Sequence, residues 1–420
     1  MGYSDIIKKK MKEWDAPDMM DVKDSGEKIP FSSPLANYAT YGGIPRNMIT
    51  EFFGLPGGGK STSSIDICKN AHEIFLQEHE EEIAELRLKI SNGKKEYAGP
   101  LEDLIERGPK KVLYIDLEHS FDDKWSATLG IDRSKIDIMQ PPNISGEQIL
   151  QMVQELIETD EVGLLVLDSI PSLVTQAELE KKYGERTVSS LAGLMTTFMR
   201  KITPICARYN TTLLLINQVR DNMDNPYVTA TPGGQAIKFY SSLRIQFNIG
   251  NPVDFLGNEL PKSAENPAGY IVNLKLVKQK SAPFDRKNAS YFLMSASGVR
   301  PDFDFAKLAI DKYGIIKKSG AWFTMCDPET GEVLLSATGG PLKINGLAKV
   351  YDYLNATPEY FNKVKTYIEA DINGQDPLAA LQELCGNNDD EYVEEEEMTE
   401  EEFLAQQAEL AEQENKTDGE

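Results

Sequence analysis

The feature that most constrains the fold is a glycine-rich segment with the sequence Gly54-Leu55-Pro56-Gly57-Gly58-Gly59-Lys60-Ser61. It fits the pattern G-x-x-x-x-G-K-[ST], in which glycines let backbone N–H groups turn toward phosphate oxygens without a Cβ in the way. A predicted strand at residues 50–53 precedes it, and an amphipathic stretch over residues 60–76 follows. A strand–loop–helix unit also places the positive end of the helix dipole beside the phosphates. The sequence therefore predicts a nucleotide-binding P-loop, with Lys60 on the β- and γ-phosphates and the Ser61 hydroxyl on Mg²⁺.

Three apolar runs have the length and composition of buried strands, at residues 112–115, 164–167 and 213–216. They lack the polar–apolar alternation of a half-exposed strand, and helical stretches separate them. One of these stretches begins with a capping box formed by Ser145 and Gln148. This order predicts an α/β fold, a P-loop ATPase core with a mainly parallel central sheet flanked by helices.

Polar residues follow these runs, and the carboxyl ends of parallel strands share one edge of a sheet. Asp168 follows the second run and is expected to hold hydrated Mg²⁺, or alternatively to cap the next helix. Glu118 stands two residues past Asp116 at the end of the first run. It is the predicted base for the attacking water, with Asp116 as its competitor. Gln218 follows the third run, and its amide can sense the γ-phosphate of a bound ATP.

The chain divides into four predicted regions. Residues 1–41, with a short charged helix at about 3–14, form an N-terminal subunit-docking segment, and residues 42–300 form the ATPase core. Residues 78–110 are inserted where a βα unit needs only a few residues. They predict a surface helical hairpin, either a plain elaboration or a site for a partner. Residues 301–388 form a small C-terminal α/β subdomain, and residues 389–420 form an acidic disordered tail.

The negative charge is uneven along the chain. The formal net charge is −23, but residues 389–420 hold 15 acidic residues and one lysine, a net of −14. Removing −14 from −23 leaves −9 for residues 1–388, so the overall balance does not exclude a nucleic-acid partner. The tail is expected to be a solvated solubility device, or alternatively a movable polyanion that competes with DNA for a basic surface.

Membrane and secretory features are not predicted. The longest apolar run, near residues 162–167, is far shorter than the roughly 20 residues of a membrane span, and the first residues lack the apolar segment of a secretory signal. Four cysteines lie far apart without a C-x-x-C pair, which is typical of reduced cysteines in a cytosolic protein: Cys68, Cys206, Cys326 and Cys385.

Several segments occur in an order that is specific to one family. They lie at residues 42–45, 115–122, 216–220, 233–240, 278–284 and 320–322. Together with the P-loop they resemble the RecA family of recombinases, including its phage UvsX-type members, over residues 42–372. The resemblance implies a RecA-type core and a DNA-dependent ATPase. It also implies a protein that polymerises on single-stranded DNA and catalyses homologous pairing and strand exchange in recombination and repair.

The resemblance assigns roles around ATP that spacing alone does not give. Glu118 matches the catalytic glutamate, and Gln218 matches the residue that couples the γ-phosphate to DNA. Asp122 matches a residue at the adenine edge, and Trp125 falls where the family stacks an aromatic ring on the base. A further pair, Lys278 and Lys280, matches lysines that reach across the subunit interface to a neighbour's ATP. The expected P-loop contacts are Gly54, Pro56, Gly57, Gly58, Gly59, Lys60, Ser61 and Thr62.

The resemblance also implies two DNA-binding loops, at residues 178–187 and about 220–232. A helix at residues 189–202 resembles the family's DNA-facing helix. The residues expected to contact DNA are Lys181, Lys182, Arg186, Arg200, Arg220, Gly233, Gly234 and Gln235. The implied partners are single- and double-stranded DNA, further copies of this chain in a helical filament with ATP at the subunit interfaces, and single-strand-binding and mediator proteins. The implied location is the cytoplasm of a bacterial or phage-infected bacterial cell, at the nucleoid.

Two other functions use a related ATPase core. A hexameric RecA-fold helicase or DNA motor is the main alternative, but such motors usually rely on an arginine finger and a separate N-terminal or primase-binding domain. The lysine pair and the short N-terminal segment favour the recombinase. A regulatory ATPase of the circadian-clock type is disfavoured by the single ATPase core and the glycine-bordered second loop.

Overall fold

A computed structural model describes residues 26–182, 190–221 and 229–389, together with residues 5, 9, 10, 12 and 13. The strands are β1 Lys28–Ile29, β2 Ile44–Pro45, β3 Ile49–Gly54, β4 Lys111–Asp116, β5 Asp137–Met139, β6 Val162–Asp168, β7 Thr212–Gln218, β8 Arg220–Asp221, β9 Thr229–Ala230, β10 Leu243–Val253, β11 Gly269–Gln279, β12 Asn288–Met294, β13 Gly298–Val299, β14 Ile316–Ser319, β15 Trp322–Met325 and β16 Lys343–Asn345. The helices are α1 Pro34–Thr40, α2 Lys60–Ser91, α3 Ala98–Arg107, α4 Asp123–Thr128, α5 Gly146–Glu158, α6 Gln176–Leu179, α7 Ser190–Arg208, α8 Gln235–Tyr240, α9 Pro301–Asp311, α10 Leu347–Ala356, α11 Pro358–Ile372 and α12 Pro377–Asp389.

The central element is a nine-stranded sheet with the order β13-β12-β11-β10-β3-β7-β6-β4-β5. Neighbouring strands are parallel from β10 through β5, and β11 to β13 add an antiparallel edge. The four predicted strands are β3, β4, β6 and β7, which lie side by side. The predicted α/β class with a mainly parallel sheet is therefore confirmed.

Apolar side chains cover both faces of this sheet. In β6, Leu164 and Val166 join one core cluster with the inner face of α2, while Leu165 and Leu167 join a second cluster with α5 and α7. Successive side chains of a strand point to opposite faces, so a strand buried on both sides must be apolar at every position. The predicted capping box of Ser145 and Gln148 is also present at the start of α5.

The insert takes the form of a helical hairpin whose first arm is continuous with the P-loop helix. The amphipathic stretch predicted to end near residue 76 continues as α2 to Ser91, and the chain returns along α3. At the base of the hairpin, Arg46 donates to both carboxylate oxygens of Glu78. On the returning side, Lys110 pairs with Asp160 at 2.6 Å. These surface contacts join the two ends of the insert to the segments that precede β3 and β6.

The structure describes the predicted segment 1–41 from Gly26 onward, together with the few residues before it named above. From Gly26 onward it belongs to the core, because β1 pairs with β2 and Ile29, Phe31 and Ala36 are buried in the same cluster as the sheet. The subunit-docking role of residues 1–41 remains a prediction. The helix predicted at residues 189–202 continues to Arg208 through Pro204, with Ile202 and Cys206 buried on its inner face.

In the predicted C-terminal subdomain, Phe303, Ile316 and Phe361 belong to one apolar cluster, which also includes Val253 and Phe292 of the central sheet. The subdomain contains the three-stranded antiparallel sheet β14-β15-β16 and helices α9 to α12. The tail beyond Asp389 lies outside the described residues. Within the described part of the chain, every helix is too short or too polar to cross a membrane.

Candidate nucleotide and DNA-binding site

The P-loop joins β3 to α2, as the motif predicts. Gly54 comes so close to β10 that a Cβ would lie 2.2 Å from the carbonyl oxygen of Phe247. Gly59 has a φ of 91° at the start of α2, a value that side chains other than glycine rarely adopt. Lys60 Nζ donates to the carbonyls of Gly54 at 3.2 Å and Leu55 at 2.8 Å, so the ammonium lies over the loop. Burial lowers the pKa of Lys60, and the nearby Asp168 and Glu118 oppose that shift.

Ser61 and Asp168 form a compact set of oxygen ligands at the start of α2. The Ser61 hydroxyl donates to Asp168 Oδ2 at 2.8 Å, and Tyr114 donates its hydroxyl to the same oxygen at 2.6 Å. Burial raises the pKa of the Asp168 carboxyl, and these two hydrogen bonds oppose that shift. A serine hydroxyl and a carboxylate beside the P-loop fit Mg²⁺, which prefers oxygen ligands and is usually held by one or two protein groups and the substrate phosphates.

Glu118 and Gln218 come together at the same sheet edge, although 100 residues separate them in the chain. Gln218 Nε2 donates to Glu118 Oε1 at 3.0 Å, and the Ser169 hydroxyl donates to the same carboxylate oxygen. This contact forms because the strands that carry these residues end at one edge of the parallel sheet. A carboxylate at this edge is in position to orient a water toward a γ-phosphate, and an amide that touches it can sense the same group.

Asp116, the competing base, occupies a different environment. Its side chain is buried, at 1% relative exposure. Its Oδ1 accepts from the backbone N–H of Glu118 at 3.1 Å, and its Oδ2 accepts from the N–H of Phe121 and the amide of Gln140, both at 2.9 Å. The first two donors belong to the loop that follows β4, and Gln140 directly follows β5. This geometry favours a role for Asp116 in shaping the loop and leaves Glu118 as the better candidate base.

Asp122 and Trp125 lie at the start of α4. Asp122 Oδ1 caps this helix by accepting from the backbone N–H groups of Lys124 and Trp125. The Trp125 indole N–H donates to the Thr62 hydroxyl at 3.3 Å, which places the ring beside the first turn of α2. The position fits a ring next to a nucleotide held by the P-loop. The adenine contact of Asp122 remains a prediction, and its helix cap explains the aspartate independently.

The structure separates the lysine pair from this chain's own P-loop. A Cβ at Gly59 would lie 3.2 Å from the side chain of Val272 in β11, and Lys278 lies six residues further along the same strand, or about 20 Å at the rise of a strand. Lys278 Nζ donates to the carbonyls of Lys238 and Phe239 at 2.6 and 2.7 Å, at the end of α8. Lys280 Nζ donates to the Phe239 carbonyl at 3.3 Å. Burial and then repulsion by Lys280 lower the pKa of Lys278 to about 8.

The ends of the two predicted DNA-binding loops converge at the start of α7. Before the first loop, the Thr175 hydroxyl donates to the Ser190 hydroxyl at 2.9 Å, which joins the two flanks. After the second loop, a Cβ at Gly234 would lie 3.1 Å from Cβ of Ala192. Gly233 is buried and has a φ of 87°, a value that side chains other than glycine rarely adopt, so backbone geometry explains this glycine without DNA.

The predicted DNA contacts are only partly described. Lys181, Lys182, Arg200 and Gln235 are exposed. Arg186 and residues 222–228 lie outside the described residues, and the side chain of Arg220 is also outside them. Contact with DNA therefore remains a prediction for all of these positions.

Sequence analysis missed a buried network beside the site. Glu51, fully buried in β3, accepts hydrogen bonds from Arg244 of β10 and, at 2.9 Å, from the amide of Asn217 in β7. The same Asn217 amide donates to the carbonyl of Pro232 at 3.0 Å, and its oxygen accepts from the N–H of Gln218 at 2.9 Å. The network ties the end of the second loop to the strand that precedes Gln218. An acidic residue inside the predicted strand before the P-loop was the available signal.

Comparison with known proteins gives the family. A model of the RecA N-terminal domain matches residues 85–300, just over half of the chain. Protein RecA of Thermus aquaticus is 30% identical over 330 residues, covering 78% of this chain and 80% of the relative. Protein RecA of Bacteroides thetaiotaomicron is 32% identical over 317 residues, covering 74% and 82%. Protein RecA of Aquifex aeolicus is 31% identical over 343 residues, covering 80% and 82%. The chain belongs to the RecA family.

Proposed function

We propose that this protein is an ATP-dependent recombinase that assembles on single-stranded DNA and catalyses homologous pairing and strand exchange. The observation that carries the proposal is the hydrogen bond between Glu118 and Gln218. It joins a candidate hydrolytic base to the last residue of β7, and the strand leads within two residues into the second predicted DNA-binding loop. Family membership supports the same function, and the comparisons give no support to the hexameric helicase or motor.

ATP binds at the P-loop in this proposal. The glycines let backbone N–H groups surround the phosphates, and Lys60 exchanges its two carbonyl partners for the β- and γ-phosphates. Ser61 and Asp168 would hold Mg²⁺, which neutralises charge on the phosphates when it is bound. Trp125 covers the base from its position beside Thr62.

Hydrolysis and DNA binding are coupled through Gln218. Glu118 orients the attacking water, and Gln218 exchanges its hydrogen bond with Glu118 for one with the γ-phosphate. Because Asn217 holds both the Gln218 backbone and the Pro232 carbonyl, a shift at Gln218 is transmitted to the end of the second loop. ATP in the site thereby changes the loop that contacts DNA.

Assembly completes the active site. About 20 Å of strand between Gly59 and Lys278 supports an action of the lysine pair on a neighbour's ATP, because a lysine side chain cannot span that distance within one subunit. Positive charge from a second subunit then stabilises the transferred phosphoryl group, as an arginine finger does. A single subunit is accordingly expected to be a poor ATPase.

DNA binding in this proposal relies on cation–phosphate contacts from exposed residues such as Lys181, Lys182 and Arg200. Such contacts are independent of base sequence and weaken steeply with salt. We extend the proposal to duplex DNA as the second substrate and to single-strand-binding and mediator proteins as partners. The proposed location is the cytoplasm of a bacterial or phage-infected bacterial cell.

Negative-stain microscopy tests the proposal. With single-stranded DNA and a nonhydrolysable ATP analogue, extended helical filaments are expected, and the Lys60→Ala protein is expected to form none. A fluorescence strand-exchange assay with labelled oligonucleotides should show ATP-dependent exchange by the wild-type protein. Closed rings with DNA unwinding would instead favour the helicase, and absence of both activities would overturn the recombinase.

A further inference from the structure

One buried tyrosine hydroxyl contacts the candidate nucleotide site from the central sheet. Tyr114 lies in β4, two residues before Asp116, and its side chain is 2% exposed. Its hydroxyl donates to Asp168 Oδ2 at 2.6 Å, the same oxygen that accepts from Ser61 at 2.8 Å. The two donors reach Asp168 from different elements, Tyr114 from the neighbouring strand and Ser61 from the first turn of α2.

We propose that Tyr114 is a positioning residue that sets the affinity of the nucleotide site for its divalent cation by holding the Asp168 carboxylate. This inference rests on the proposed function, in which Ser61 and Asp168 hold Mg²⁺. Ser61 can ligate a cation with its lone pairs while its hydrogen still points to Asp168. Tyr114 then supplies a second, fixed donor, so the carboxylate has one preferred orientation.

Burial makes the second donor important. Asp168 is only 3% exposed, so water cannot replace a missing hydrogen bond at little cost. Hydrogen bonds to a charged partner are about twice as strong as those between neutral groups. Groups that hydrogen-bond to metal ligands typically change metal affinity by about 10–100-fold when they are removed.

The ring of Tyr114 would be held equally well without its hydroxyl. It packs edge-to-face against Phe121, with ring centroids 5.5 Å apart, and it belongs to the apolar cluster beneath α2. Phenylalanine would fill the same space. A buried hydroxyl adds a desolvation cost that its hydrogen bonds must offset. The Tyr114 hydroxyl accepts from the Ser64 hydroxyl at 3.4 Å, and the shorter bond, at 2.6 Å, is the one it donates to Asp168.

The Tyr114→Phe variant tests the inference. Binding of a fluorescent ATP analogue is measured as a function of free Mg²⁺, for the full chain without DNA. The Mg²⁺ concentration at half-saturation is expected to rise about 10–100-fold, while nucleotide affinity at saturating Mg²⁺ stays at the wild-type value. Thermal unfolding without metal verifies that the Tyr114→Phe protein is folded. If Tyr114→Phe does not fold, Tyr114→Met, which also lacks the hydroxyl, is used in its place.

Tyr291→Phe is the matched control. Tyr291 is also buried, and its hydroxyl lies 2.6 Å from the hydroxyl of Ser63, in the turn of α2 that carries Ser61. Unlike Tyr114, it does not hydrogen-bond to Asp168. Its Mg²⁺ dependence is expected to match that of the wild type. An unshifted midpoint for Tyr114→Phe, or an equal shift in both variants, would overturn the role of Tyr114. Failure of the wild-type protein to bind the ATP analogue at any Mg²⁺ concentration would overturn the proposed function and the inference with it.

Discussion

Replacing Glu118 by glutamine separates catalysis from structure at this site. Glutamine keeps the length of the side chain and one acceptor oxygen, which can still accept from Gln218 and Ser169. The partly exposed edge of the sheet therefore loses little, and we expect a change of about 0.5 kcal/mol or less in the free energy of unfolding. The amide cannot take a proton from water, so turnover is expected to fall by about 10²–10⁴-fold.

The Asp116→Asn variant is the matched comparison, because its expected defect is the reverse. Asp116 accepts from three N–H donors with its two oxygens. Asparagine has one acceptor oxygen and an NH₂ group, so at least one buried donor loses its partner, at a cost of about 1–3 kcal/mol. We expect lower stability and a secondary loss of turnover as the loop carrying Glu118 loosens.

Three measurements on each protein distinguish the two roles: denaturant unfolding, binding of a fluorescent ATP analogue, and ATP hydrolysis with saturating single-stranded DNA. The expected Glu118→Gln protein is stable, binds the analogue normally and hydrolyses ATP at least about 100-fold more slowly, equivalent to about 2.7 kcal/mol in the activation free energy. Hydrolysis at a rate near wild type would refute the assignment and make Asp116 the first alternative. A fully stable but inactive Asp116→Asn protein would lead to the same conclusion.

Three other predictions use different parts of the molecule. Lys60→Ala is expected to abolish nucleotide binding, whereas Lys278→Ala and Lys280→Ala keep it but lose DNA-stimulated hydrolysis. Mixing either lysine variant with Lys60→Ala should restore some DNA-stimulated hydrolysis, because each protein supplies the half of the interface that the other lacks. If the mutants co-assemble but hydrolysis is not restored, action in trans is excluded. Burial raises the pKa of Asp304 from 3.8 to about 8. Between pH 3.8 and 8 the folded chain therefore keeps a proton on Asp304 that the unfolded chain has released, and the free energy of unfolding falls as the pH rises toward 8. Asp304→Asn should reduce the difference in unfolding free energy between pH 5 and pH 9, measured by denaturant unfolding. An unchanged difference would contradict the raised pKa of Asp304. Ending the chain after Asn388 should tighten duplex binding most at low salt, where a tethered net charge of −14 is least screened, and equal affinities across a salt titration would leave the tail as a solubility device.

Local sequence carried enough information for the strands and the P-loop. A strand buried on both faces must be apolar throughout, so β6 and β7 were identifiable without their neighbours. The Gly59-Lys60-Ser61 turn was identifiable because only a few residue types satisfy its backbone and its chemistry. The end of α2 was not predictable from residues 60–76, because the helix continues through a charged, exposed insert whose length is set by its packing on α3.

The sequence by itself determined the fold class, the nucleotide chemistry and the order of motifs that places the chain in its family. Those properties depend on short segments whose residue types are fixed by local geometry. Tertiary structure decided which polar groups meet: Gln218 with Glu118, Asn217 with Glu51, and Tyr114 with Asp168. Each contact joins residues from different strands, and their separation depends on strand order and register in the sheet, which no local pattern encodes.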